Sequence, residues 1–394
     1  MGGSATWKGI IMTQSRSSAF GSSFPLTSPL YPSAVYTLPD LDALDRILDA
    51  KEAGFIYARD AHPNARLLAD RLAELEGAKW AIVTGSGMAA VSALVLANVE
   101  KGQRVLASHR LYGRTTQLFL QELPRLGVQV AFVDISDPDE VQRALQTPAR
   151  LLFVETMSNP LLRLADLEML ARLAHDANCL LVVDNTFATP VLVRPLDLGA
   201  DFVVESITKM IGGHSDVTLG LVCANNDKQA ELSQVSSIWG FSSSPFDCWL
   251  AERGLDTLPL RMKTASANAA ALADWLAEQP GVARVIYPGR PDHPDHELAG
   301  RLLHGFFGNM LCFDLAGGRE AVNRFMHQAP GIPFSPSLGH TTTTCSHPAT
   351  TSHRYVSPAE RERQGITDGL VRLSVGVEEL SLIQSEMAKG LSRG

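Results

Sequence analysis

Leu151–Glu155 and Leu180–Asp184 are short, continuous apolar runs that each end in an acid. Such runs have no polar face, so strands built from them must be covered on both sides. Helical patterns separate them from one another and from further strand candidates. Ala65–Glu76 reads as a helix with Leu68, Leu72 and Leu75 on one face and Gly77 as its stop. Met88–Ala97 is an Ala/Val/Leu helix, and Asp166 can cap a helix over Leu167–Ala177. Trp80–Thr84, Arg104–Ala107, Val128–Asp134, Phe202–Glu205 and Leu219–Cys223 complete the strand set. This alternation predicts an α/β fold, a mostly parallel central sheet flanked by helices. Ligands of such sheets bind at the carboxyl ends of the strands. Ser86, Tyr112, Glu155, Asp184 and Ser206 all stand there.

After about residue 250 the character changes. A helical stretch over Phe246–Leu276 is interrupted near Pro259, and Phe307–Leu315 and Leu370–Val375 look like strands of a smaller sheet. The expected organisation is an arm over 1–62, a large α/β domain over 63–257 and a C-terminal α+β domain over 258–394. Gly331–Tyr355, rich in Pro, Thr, Ser and His, reads as a long irregular segment of functional or mobile kind. Met1–Ser23 is Ser/Gly-rich without the apolar core of a signal peptide; it is expected to be a mobile arm, with Met12 as an alternative start.

A chain of 394 residues with 45% hydrophobic and 19% charged residues has the composition of a globular protein of two or three domains. No run approaches the roughly 20 apolar residues of a membrane span. The excess of 42 acidic over 34 basic residues argues against a nucleic-acid surface. Five scattered cysteines without a CxxC pair argue against a disulfide framework or zinc site and fit a reducing cytoplasm.

Three motifs carry chemistry. Thr84-Gly85-Ser86-Gly87-Met88-Ala89-Ala90 follows a strand and opens a helix, where free N–H groups and the positive dipole end attract an anion. Its spelling matches GxGxxA, so a nicotinamide dinucleotide is one reading. That reading needs an acid at the end of the next strand, about 20 residues on; the chain has Ala107-Ser108-His109 there. A phosphate cradle of another kind fits better, and a plain helix start is the third reading. Asp184-Asn185-Thr186-Phe187 offers either a turn cap or a partner for a positive group above the sheet edge. Glu205-Ser206-Ile207-Thr208-Lys209-Met210-Ile211-Gly212-Gly213-His214 places a lysine between two hydroxyls and a Gly-Gly pair. Most lysines are solvated surface charges, but a desolvated one is a nucleophile and Schiff-base former. Together the motifs make sense as a pyridoxal 5′-phosphate (PLP) site. Gly87, Met88, Ser206 and Thr208 would take the phosphate, Lys209 the aldehyde, Asp184 the protonated ring nitrogen and Tyr112 the ring face.

With these motifs on view, the sequence resembles the Cys/Met-metabolism group of PLP enzymes of fold type I, which includes cystathionine γ-synthase, the cystathionine lyases, methionine γ-lyase and the homoserine sulfhydrylases. The matching stretches are Tyr57-Ala58-Arg59, Ser86-Gly87-Met88, Leu111-Tyr112-Gly113, Glu155-Thr156 with Ser158-Asn159-Pro160, Asp184-Asn185-Thr186-Phe187, Ser206-Ile207-Thr208-Lys209 with Gly212-Gly213-His214-Ser215-Asp216, and Gly369–Gly376. They span about Ser28 to Leu391.

The resemblance implies roles residue by residue. Lys209 holds the cofactor and moves protons; Asp184 pairs with the ring nitrogen; Gly87, Met88, Ser206 and Thr208 bind the phosphate. Tyr112 stacks on the ring and serves as acid/base at the leaving group, and Asn159 lies beside the cofactor hydroxyl. Arg372 clamps the substrate α-carboxylate, with Ser337 adding a contact. Tyr57 and Arg59 reach the phosphate of a neighbouring subunit, so a homodimer builds the sites, and pairs of dimers make a tetramer. The small-molecule amino-acid substrate undergoes γ-elimination or γ-replacement, in the manner of cystathionine γ-synthase or γ-lyase. Methionine γ-lyase or homoserine sulfhydrylase is the alternative within the group. The rivals from other classes are an NAD-dependent oxidoreductase and a catalytically silent PLP-binding scaffold.

Four departures from the family pattern stand out. His62-Pro63-Asn64 replaces Asn-Pro-Thr, and Met210 replaces a tyrosine. Ser337-Leu338-Gly339-His340-Thr341-Thr342-Thr343 lacks the acid linked to substrate choice, and its Leu338 leans away from cystathionine β-lyase. Arg114 stands where methionine γ-lyases carry cysteine; it is expected to bind an acidic distal group of the substrate.

Overall fold

A computed structural model describes residues 25–392 apart from positions 304 and 355. The expected mobile arm, Met1–Ser23, lies outside the described residues.

The strands of the large sheet are β1 (Trp80–Thr84), β2 (Arg104–Ser108), β3 (Gln129–Val133), β4 (Leu151–Glu155), β5 (Leu180–Asp184), β6 (Phe202–Glu205) and β7 (Gly220–Ala224). They lie in the order β1-β7-β6-β5-β4-β2-β3. The ladders β3–β2–β4–β5–β6 are parallel, and only β7 runs against its neighbours β6 and β1. Alternating side chains feed two cores, one on each face. Leu152 and Val154 of β4 enter one with Leu181, Val183 and Val203; Leu151 and Phe153 enter the other with Val182, Phe202 and Val204. The continuous apolar runs therefore arise because both faces of the sheet are covered.

Helix ends follow local chemistry. The helix Pro63–Glu76 stops at Gly77, whose φ of 68° suits a residue without a side chain. Its start explains the His62-Pro63-Asn64 departure. His62 Nδ1 accepts the Ala65 N–H at 3.1 Å as the N-cap. Buried Asn64 takes the Tyr31 N–H and donates to the Pro29 carbonyl, each at 2.9 Å, and so anchors the preceding chain.

The second sheet consists of β8 (Val282–Ile286), β9 (Met310–Leu315), β10 (Thr344–Ser346) and β11 (Leu370–Ser374). It is antiparallel in the order β10-β11-β9-β8. Two strands of this sheet escape the sequence reading. β8 is half-exposed and weakly patterned, and β10 is three residues long inside the Gly331–Tyr355 segment expected to be irregular. That segment is more ordered than expected: it also holds a helical turn at Pro348–Thr350.

The helical stretch expected over Phe246–Leu276 is two helices, Pro245–Leu255 and Leu258–Ala277, with Pro259 in the first turn of the second, where its missing N–H costs nothing. The longer helix joins the two sheets. Leu258 and Met262 pack in the large core, and Ala269, Leu272 and Leu276 pack in the core of the smaller sheet. Its Arg261 donates to the carbonyls of Met210 (2.6 Å), Ile211 (3.0 Å) and Gly254 (2.8 Å), clamping the turn that follows β6. A Cβ on Gly254 would collide with the Gly212 carbonyl of that turn. Gly254→Ala is therefore expected to cost about 1–3 kcal/mol through overpacking, read as a lowered urea midpoint with an unchanged slope; an unshifted midpoint would show that the contact is slack.

Candidate active site

The carboxyl ends of β1, β2, β4, β5 and β6 open onto one cavity of about 570 Å³. Gly87, Met88, Tyr112, Arg114, Asn159, Asp184, Ser206, Thr208, Lys209 and Arg372 line it together, although 285 positions separate the first from the last (372 − 87). Ser337 joins them because its Oγ accepts a hydrogen bond from Lys209 Nζ at 3.0 Å.

Lys209 sits in the tight turn after β6, three residues past Ser206. Burial lowers its pKa, and the guanidinium of Arg372 lowers it further. Arg372, on β11, is 3% exposed. Its Nη1 donates to Asn159 Oδ1 at 2.7 Å and its Nη2 to the Ser337 carbonyl at 3.2 Å. Among the described residues neither cation has a carboxylate partner within ion-pair distance. Both therefore remain available to an anion or an electrophile entering the cavity.

Opposite them, Asp184 closes β5. Its Oδ1 accepts the Thr186 N–H at 3.0 Å, and Thr186 Oγ1 in turn accepts the Ser206 N–H at 2.8 Å. Burial raises the Asp184 pKa, only partly offset by Thr186. Glu155 faces it in register on β4; burial, then the Asp184 charge, push Glu155 well up. Glu205 closes β6, and burial, then Glu76, push it up likewise.

Ser86 caps the helix Gly87–Asn98 by accepting the Ala89 N–H at 3.1 Å, leaving the first N–H groups directed at the cavity wall. A Cβ on Gly87 would lie 2.9 Å from Ser206 Cβ, so only glycine lets the helix start and the β6 turn form one cradle. Thr208 Oγ1 is shared with Leu219, donating to its carbonyl and accepting its N–H. These features fit PLP: a helix N-terminus beside hydroxyls for a phosphate, a buried amine for an aldehyde, and a buried acid without an ion-pair partner for a protonated ring nitrogen. The dinucleotide reading finds no support, because β2 ends on Ser108 with no carboxylate there.

Tyr57 and Arg59 do not line this cavity. They are exposed, Arg59 lies 5.1 Å over the Tyr57 ring, and it pairs with Asp60. Sequence reading named Glu155 as a strand-end residue and quoted Thr186 and Glu205 within motifs without giving any of the three a role, and it did not name Ser352; all four line the cavity. For the two acids a signal was present: each ends an apolar strand just as Asp184 does. Thr186 and Ser352 carry no such mark.

Because burial lowers the Lys209 pKa, the cofactor-free protein should present a neutral amine at lower pH than an ordinary lysine, whose pKa is 10.5. Competitive acetylation across pH, read by peptide mass spectrometry, should place its midpoint below that value. Removing the neighbouring positive charge in Arg372→Leu favours the ammonium and should move the midpoint up. A wild-type midpoint at the ordinary value contradicts this electrostatic account.

Comparison with known proteins agrees with the site. A family model described as Cys/Met metabolism PLP-dependent enzyme matches residues 10–392. The chain is 44% identical to the O-succinylhomoserine sulfhydrylase of Pseudomonas aeruginosa over 86% of its length and 84% of that protein. It is 39% identical to an L-methionine gamma-lyase of Fusobacterium nucleatum over 93% of its length and 94% of that protein. The structure superposes on cystathionine gamma synthase from Xanthomonas oryzae with a TM-score of 0.89 at 35% identity, covering 95% of this chain and 94% of that one. The chain belongs to the Cys/Met-metabolism family of PLP-dependent enzymes, with the fold of type I and a transsulfuration-type activity on sulfur amino acids.

Proposed function

We propose that the chain catalyses γ-elimination or γ-replacement on homoserine-type amino acids, in the manner of cystathionine γ-synthase or γ-lyase. Its preferred leaving group has an acidic distal end, such as the succinyl arm of an O-acylated homoserine. The observation that carries the reading is the placement of Lys209, Arg372 and Arg114 around one cavity, with an amine at its floor and guanidinium groups at two separate points.

Bound at Lys209, PLP supplies an electron sink that acidifies the α and β positions of an amino acid. The residues of the chain do the rest. Arg372, held by Asn159 and Ser337, presents a planar fork to the α-carboxylate and fixes the orientation of the substrate. Lys209, whose pKa burial lowers, takes the proton from Cα and returns or moves it at Cβ; steps of this kind contribute about 10²–10⁴-fold each. Ser337 Oγ gives the Nζ a resting partner between transfers. Asp184 favours a cation at the ring nitrogen. Tyr112, 40% exposed and lining the cavity, would stack on the ring and hand a proton to the departing group. Gly87, Met88, Ser206 and Thr208 would hold the phosphate. Arg114, exposed beside Tyr112 and bonded to Gln117 at 2.8 Å, meets the distal carboxylate.

A neutral thiol leaving group, as in methionine γ-lyase, is the second reading. The similarity to a methionine γ-lyase over nearly the full length favours it, and the cation at position 114 weighs against it. Arg114→Ala should raise KM for O-succinylhomoserine or cystathionine about tenfold or more, as expected for a lost charged hydrogen bond, and leave KM for methionine little changed. Equal effects on all substrates would refute the assignment.

Tyr57 and Arg59 are exposed and do not line their own cavity, and Leu26, Tyr31 and Val35 of the same N-terminal segment are exposed as well. This supports a homodimer in which the 1–62 arm completes the neighbouring site, and a tetramer of two such dimers. Five free, buried cysteines support a cytoplasmic setting. Among the described residues no helix is long and apolar enough to cross a membrane. Hybrids of a Lys209→Ala chain with a Tyr57→Ala/Arg59→Ala chain, each inactive alone, should recover part of the activity, since one site in each mixed dimer is intact. Verified hybrids without activity would rule out a shared site.

A further inference from the structure

Glu155 is a buried acid that the mechanism above does not use. It is 7% exposed, at the end of the central strand β4, and faces Asp184 on β5. Placing two carboxylates in register at buried strand ends costs stability, so a purely structural account favours an apolar or amide side chain there. The position is nevertheless occupied by a glutamate, and both of its oxygens are engaged. Oε1 accepts the Tyr112 N–H at 2.5 Å, and Oε2 accepts the Asn159 N–H at 3.3 Å.

These two amides belong to different loops. Tyr112 lies in the turn after β2 and directly precedes the short helix Gly113–Gln117, so no intrahelical partner exists for its N–H. Asn159 lies in the turn after β4, and its side-chain oxygen accepts from Arg372 Nη1 at 2.7 Å. β2 and β4 are hydrogen-bonded neighbours, so a carboxylate at the end of β4 reaches both turns. We propose that Glu155 is a positioning residue that fixes the stacking tyrosine and the substrate clamp to each other, one oxygen holding the Tyr112 backbone and the other holding Asn159 and, through it, Arg372. Two acceptor atoms on one rigid group are required. A glutamine offers one oxygen and an NH2 that cannot accept, and an aspartate is one methylene short. The proposal rests on the roles given above to Tyr112 and Arg372.

The test is amide hydrogen exchange, with and without PLP, on the wild type, Glu155→Gln and Glu155→Asp, combined with steady-state kinetics and the visible circular dichroism of the bound cofactor. In the wild type both the Tyr112 and Asn159 amides should be protected even without PLP. In Glu155→Gln at least one should exchange about tenfold faster or more, the size expected for leaving a buried amide without its acceptor. KM for the amino acid should then rise with a smaller fall in kcat, and the dichroism band should change as the tyrosine shifts. Glu155→Asp should reproduce these effects in weaker form. Rapid exchange of both amides in the wild type overturns the proposal even if neither variant folds. So does accelerated exchange in a variant whose KM and dichroism match the wild type. If PLP failed to bind at Lys209, the cofactor reading would fall, while amide protection in the cofactor-free protein would still report on Glu155.

Discussion

Lys209, Arg372, Glu155, Asp184 and Glu205 face one cavity without closing into ion pairs among the described residues. Lys209 and Arg372 stand on one side, and Glu155, Asp184 and Glu205 close neighbouring strands on the other. Charges taken out of water and left without direct partners are costly. The fold carries that cost because the parallel sheet places all the strand ends at one edge, where helix starts and loop amides supply hydrogen bonds. The result is a cavity lined by ionisable groups that hydrogen bonds, not ion pairs, hold in place among the described residues.

The surrounding architecture keeps these groups apart. Arg261 spends its guanidinium on the carbonyls of Met210, Ile211 and Gly254, which holds the lysine turn against the long helix shared by both cores. Arg372 comes from the smaller sheet, so it and Lys209 belong to different layers and meet through Ser337. Glu155 links the turns after β2 and β4. Arg114 and Ser352 also line the cavity.

Much of this was legible in the residues. Trp80–Thr84, Leu151–Glu155, Leu180–Asp184 and Phe202–Glu205 read as strands with the observed bounds, because strands covered on both faces leave unbroken apolar runs. The Lys209 turn was legible because hydroxyls and glycines crowd a lysine directly after such a strand. β8 and β10 were not. One is half-exposed, the other owes its pairing to β11, and neither carries a period of its own. His62 read as a departure, and only its bonds to Ala65 and Ser243 reveal an N-cap tied to a distant loop.

By itself the sequence determined the α/β class and the strand ends whose polar residues line the cavity, since hydrophobic period and local motif are properties of neighbouring residues. The tertiary structure alone decided that Arg372 sits beside Asn159 and Ser337, that Glu155 spends both oxygens on two different turns, and that Tyr57 and Arg59 lie outside their own cavity. Those facts depend on which loops the sheet order brings together, and contacts between residues hundreds of positions apart leave no mark on local pattern.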